Sequence, residues 1–139
     1  MIRIAAHATT VAIVLLTLSC SPQVPEMRQV VGTDRVVITG FSGADTLHVV
    51  TDTARIRALE NFVNSRTDRW ERPWDGIAGP RANATFYAGS AVNANFGAGP
   101  DFFNAHLPGG SAIRPATEEE VKEFIALLGV TPDVLKAQP

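Results

Sequence analysis

Cys20 is the only thiol in a chain of 139 residues, and it closes the apolar run T-V-A-I-V-L-L-T-L-S-C, with Ser21 and Pro22 directly behind it. One cysteine excludes an internal disulfide, so the domain has to be held by a packed core. Other side chains suited to chemistry are scattered. His48 and His106 lie far apart on predicted strands, short of the three or four ligands that zinc takes. The chain has no G-x-S-x-G elbow, no P-loop and no H-E-x-x-H. Glycosidase chemistry needs two carboxylates across a cleft, and sequence alone does not pair Asp45, Asp75 or Asp101. The expectation is a domain without catalysis, metal or cofactor.

Two groups of residues are suited to binding. The first is R-W-E-R-P-W-D, Arg69 to Asp75, where Trp70, Arg72 and Trp74 sit in a stretch with no helical or strand period. Trp and Arg are over-represented where binding energy concentrates. The same indoles would also serve to close the end of a small core, and for at least one of them that is the expected role. The second group lies on the solvent side of the predicted strands: Thr85, Tyr87, Asn93, Asn95, Asn104 and His106, with His48 as a further candidate. A neutral, amide-rich face with an aromatic binds peptides or sugars, or simply faces water.

The residues before Cys20 read as a targeting segment. Arg3 and the terminal amine give a short positive region, followed by an apolar stretch from Ile4 to Leu18. That stretch is about 15 residues, where a bilayer-spanning helix needs about 20, and the pattern is that of an export signal. Its end, Leu18-Ser19-Cys20, resembles the lipobox of bacterial lipoprotein precursors. Ser19 and Cys20 match the family pattern and Leu18 fits the middle position. Thr17 departs from it, because a branched apolar residue is usual there. The resemblance covers the first 20 or so residues. It implies a diacylglyceryl group on Cys20 and cleavage just before it. Ser21 resembles the class sorted to the outer membrane, facing the periplasm if the cell is Gram-negative. An uncleaved anchor, or a secretory signal cut nearby, would use Cys20 differently.

Behind Cys20, residues 20–29 carry Pro22 and Pro25 and read as a flexible tether. Residues 30–139 read as one domain. Apolar residues make up 45% and charged residues 19%, a globular balance, and the net charge of −2 gives no basic surplus for nucleic acid. In a bacterial envelope protein, the sequon-like Asn83-Ala84-Thr85 reads as accidental.

The elements that must position these groups follow from hydrophobic period. Residues 35 to 51 read as a hairpin, with turn chemistry at Gly40, Ser42, Gly43 and Asp45. Ile56, Leu59, Phe62 and Val63 share one helical face behind a cap at Thr51 or Asp52. Three alternating segments follow: Ala84, Phe86 and Ala88; Val92, Ala94 and Phe96, with Asn93 and Asn95 opposite; and Phe103, Ala105 and Leu107. Thr117-Glu118-Glu119-Glu120 is a capping box before a stripe of Val121, Phe124, Ile125 and Leu128, stopped by Gly129. The order β-β-α-β-β-β-α predicts an α+β fold: a single antiparallel sheet with two helices packed on one face. The functional expectation is a lipid-anchored cell-envelope protein with a small binding or structural domain and an envelope protein or a glycan as partner. The alternatives are a small envelope hydrolase or glycan-processing enzyme, and an inhibitor or assembly partner docking through the Trp loop.

Overall fold

The structure, a computed structural model, describes residues 26–41, 45–73, 76 and 79–136. Six strands form one antiparallel sheet: β1 (Arg35–Thr39), β2 (Thr46–Val50), β3 (Ala82–Ala88), β4 (Ala91–Ala98), β5 (Phe102–Leu107) and β6 (Gly110–Pro115). Their spatial order is β2-β1-β3-β4-β5-β6. Helices α1 (Thr53–Asn64) and α2 (Glu118–Leu128) complete the domain, with a short 3-10 turn at Pro132–Leu135. The fold is thus α+β in the order expected from sequence, with one further strand, β6, before the last helix.

Alternation builds the sheet's two faces. Val36 and Ile38, Ala84 and Phe86, Ala94 and Phe96, Phe103 and Ala105 all point towards the helices and are buried. Alanine recurs on this face, and the large groups that fill the space above it are aromatic. Phe62 from α1 stacks on Phe124 from α2 at 5.1 Å and meets Phe96 and Phe103 edge-on at 6.2 and 5.7 Å. Such edge and offset contacts add to the apolar burial itself.

The caps behave as their sequences dictate. Asp52 accepts from the Arg55 amide at 2.8 Å and starts α1. Thr117 accepts from the Glu120 amide at 3.2 Å, and the Thr117 amide donates back to Glu120 at 2.9 Å. Gly129, at φ 67°, closes α2 in the left-handed conformation that glycine tolerates.

The irregular segment after α1 is tied down more firmly than its composition suggests. Trp70, taken from sequence as a candidate contact, is buried at 5% exposure. Its indole N–H donates to the Arg66 carbonyl at 2.6 Å, and its ring meets Phe96 at 5.9 Å. The physical reason is the small core, which takes up this indole as its lid. Glu71 then exchanges both backbone hydrogen bonds with Ile113 and so covers the outer edge of β6.

Register corrects two further expectations. A bulge lies between Phe86 and Tyr87, so Tyr87 pairs with Val92 and Phe86 with Ala94. The extra residue turns Val92 outward, 58% exposed, instead of placing it beside Ala94. Asn93 sits at the bulge, and its amide donates to the Val31 carbonyl at 2.9 Å. His48 pairs with Ile38, which puts it on the helix side of the sheet and not on the open face.

Candidate functional site

The open face of the sheet carries a groove of about 590 Å³. Its floor is a ladder of polar side chains at consecutive cross-strand positions. Asn83 on β3 pairs with Gly97 on β4, which pairs with Asn104 on β5. Two residues along, Thr85 pairs with Asn95, and Asn95 with His106. Period two brings each of these side chains to the same face. Val37 and Thr39 extend the floor across β1, and Phe41 and Pro80 form the walls.

Gly97 makes the hollow. A Cβ at this position would overlap the Oδ1 atoms of both Asn83 and Asn104 and the Pro80 ring. The two amides therefore converge over a bare backbone. Asn95 donates to the Thr85 hydroxyl at 2.8 Å, which fixes the middle of the floor. Asn104 is 8% exposed, and its Oδ1 is buried without a hydrogen-bond partner. A buried acceptor left unpaired costs about 1–3 kcal/mol, and the Thr33 hydroxyl and His48 Nε2 are buried unpaired elsewhere in the domain.

The described lining residues are all uncharged. Two arginines stand beside them, each over an aromatic ring: Arg35 lies 4.3 Å from the centre of the Tyr87 ring and Arg81 lies 5.3 Å from that of Phe41. The concentrated charge of the molecule lies elsewhere, where β6 meets the start of α2. Arg114 is buried and meets Glu120 at 2.9 Å, with Asp68 at 3.3 Å. The hydrogen bond from Arg114, helped by that from the Thr117 amide, draws the Glu120 carboxyl down to about 2 against its partial burial. Desolvation lowers the Arg66 pKa, and Glu123 and Glu120 oppose the shift. This network joins three chain segments and lies apart from the groove.

Of the residues singled out from sequence, Tyr87, Asn95, Thr85 and Asn104 line the groove. His106 ends the Thr85–Asn95 row on β5, exposed and outside the groove lining, with Nδ1 2.6 Å from the Ser111 hydroxyl. Arg72 is exposed in the irregular segment, remote in sequence from the floor strands. Trp74 and Cys20 lie outside the described residues. The groove also uses residues to which sequence reasoning gave no binding role: Asn83, Phe41 and Pro80, with Gly97 beneath them. For Asn83 a signal existed, because it falls in phase with Thr85 and Tyr87 on its strand.

Among the described residues no three His, Cys, Asp or Glu side chains are grouped to hold a metal ion. No helix among them is long and apolar enough to cross a membrane. Set against known proteins, the chain matches no family model, no curated protein and no solved structure.

Proposed function

We propose that this is a lipid-anchored cell-envelope protein whose domain binds a neutral glycan in the groove of its open sheet face. The observation that carries the binding site is the buried, unpartnered Oδ1 of Asn104 in an uncharged hollow. A ligand that draws the Asn104 amide outward would supply the donor this oxygen lacks, and the uncharged described lining suits a neutral one. The backbone groups beneath the floor are already engaged in the sheet ladders, so recognition runs through side-chain amides and hydroxyls. Sugar hydroxyls both donate and accept, and they match Asn83, Thr85 and Asn95 as well as Asn104. An extended peptide would instead seek free main-chain groups along a strand edge. The described lining residues include no carboxylate, imidazole or thiol for acid–base or nucleophilic work, which supports binding over hydrolysis. The anchor rests on the leader and Cys20.

The test is titration of the purified protein with uncharged β-linked oligosaccharides, chitotetraose and cellotetraose, followed by calorimetry. Saturable binding is expected, reduced at least tenfold in Gly97→Ala, whose methyl group collides with the Asn83 and Asn104 amides and pushes them out of place. An uncharged tetrapeptide is the comparison. Binding of the peptide alone, or binding of either sugar unaffected by Gly97→Ala, overturns the glycan reading.

A further inference from the structure

Antiparallel pairing aligns several features at one end of the sheet. Arg35 at the start of β1 pairs with Tyr87 near the end of β3, and Val36 pairs with Val50 at the end of β2. The β3–β4 turn at Gly89 and Ser90 lies at this end, and so does the β5–β6 turn, because Leu107 pairs with Gly110. The described chain enters across it. A Cβ at Gly109 would overlap the Glu26 carbonyl, so Glu26 lies on the β5–β6 turn. The segment then passes α1, where Asn64 donates to the Val30 carbonyl and accepts from the Val30 amide, both at 2.8 Å. Asn93 holds the Val31 carbonyl, and the Asp34 amide donates to the Tyr87 carbonyl at 2.9 Å.

We infer that this end of the sheet rests on the bilayer surface, with Val31 and Val92 as its apolar contacts. The inference depends on lipidation of Cys20 as proposed above. Six peptide units separate Cys20 from Glu26. At no more than about 3.6 Å per residue they reach about 20 Å, so a lipid on Cys20 keeps Glu26 within that distance of the membrane. Val31 and Val92 are 63% and 58% exposed, the two most exposed of the large apolar side chains described. They stand together, because Asn93, next to Val92, bonds Val31. Arg28 and Arg35 share this end with Glu26, Asp34 and Glu60, so the surface has no basic surplus to hold it on lipid by itself. A weak apolar contact beside a covalent lipid is the two-signal arrangement that makes attachment stable. The opposite end, with Thr39, Asn83 and Asn104, then stands away from the lipid. It carries the Phe41 and Pro80 walls of the groove, in reach of ligands in the aqueous space.

Because Cys20 would be acylated, a cysteine introduced elsewhere is the one free thiol for labelling. Ser90→Cys marks the proposed membrane end and Asp101→Cys, between β4 and β5, the far end. Each full-length lipidated protein is bound to phosphatidylethanolamine–phosphatidylglycerol vesicles, labelled with a fluorophore and quenched with a headgroup-nitroxide lipid. At least threefold stronger quenching is expected at position 90 than at 101. Adding Val31→Asp and Val92→Asp should remove the difference without releasing the protein. Equal quenching on vesicles that retain the protein overturns the orientation and leaves the anchor standing. Failure to stay on vesicles, with the same behaviour in Cys20→Ser, overturns both.

Discussion

Glu120 faces Arg114 at 2.9 Å through one carboxylate oxygen while the other accepts from the Thr117 amide at 2.9 Å. One side chain thus completes the cap of α2 and neutralises the buried guanidinium of β6. Arg114 also donates to the Asp68 carbonyl at 3.1 Å, so the pair joins the irregular segment to the last strand and helix.

This relationship sets a pH dependence. The Glu120 carboxyl titrates at about 2 in the folded protein, below its ordinary value of 4.5. A depressed carboxyl pKa stabilises the fold above the unfolded pKa, and the stabilisation is lost as pH falls from about 4.5 through 2. It amounts to about 2–3 kcal/mol. Glu120→Gln should lower stability by that amount at pH 7, and the gap to the parent should close towards pH 2. Urea midpoints measured across that range check it, and a gap that stays constant would show that the carboxylate charge is not the cause.

The aromatic cluster carries the next expectation. Phe62 is 4% exposed and Phe124 fully buried, and the two rings stack across the helix pair. Phe→Ala at either position should cost about 3–5 kcal/mol, a large part of the roughly 5–15 kcal/mol available to a domain. Trp70→Ala should fall in the same range, because its ring and its N–H are both engaged. Denaturation midpoints unchanged in Trp70→Ala would return Trp70 to the docking role that sequence suggested for it.

Most of this architecture is visible in the chain before folding. The helix stripes, the capping box and the alternation of β3 and β5 rest on local periods, and the residues they name are those buried here, except Ala88, which is exposed at the end of β3 beyond the bulge. What sequence misses depends on pairing. The segment G-S-A-I-R-P of β6 is short, contains glycine and proline, and points an arginine inward; Glu71 and Glu120 make that acceptable, and both are distant in sequence. The bulge at Tyr87 turns Val92 outward and leaves Asn93 unpaired by inserting one residue, a change with no mark in the alternation itself. The groove was half legible. Asn95, Asn104 and Tyr87 follow from period two, whereas the hollow at Gly97 and the walls from Phe41 and Pro80 exist only once strands β1, β3, β4 and β5 are side by side.

The anchor gives a prediction independent of the fold. Cys20→Ser removes the one sulfur to which a diacylglyceryl group could be attached. Cells fed a fatty-acid probe should lose label on this protein, and the protein should leave the membrane fraction. Undiminished labelling in the variant would falsify the lipoprotein reading.

The decisive substitution for the groove is Asn104→Leu. Ordinarily the loss of a buried amide destabilises, because its partners are left unpaired. Here the Oδ1 atom has no partner in the free protein, and it is buried over the bare backbone of Gly97. Removing it relieves a desolvation cost, so stability should be unchanged or rise by about 1–2 kcal/mol. Binding should move the other way. If a ligand hydroxyl donates to this oxygen, its loss leaves that hydroxyl unpaired and weakens binding at least tenfold, equivalent to about 1.4 kcal/mol. The two measurements, urea midpoint and oligosaccharide titration, are made on the same protein. A gain or no change in stability together with lost binding marks Asn104 as held in place for a ligand. A loss of more than about 2 kcal/mol in stability would mean that the amide supports the sheet itself, and the groove would then lose the observation on which its function rests.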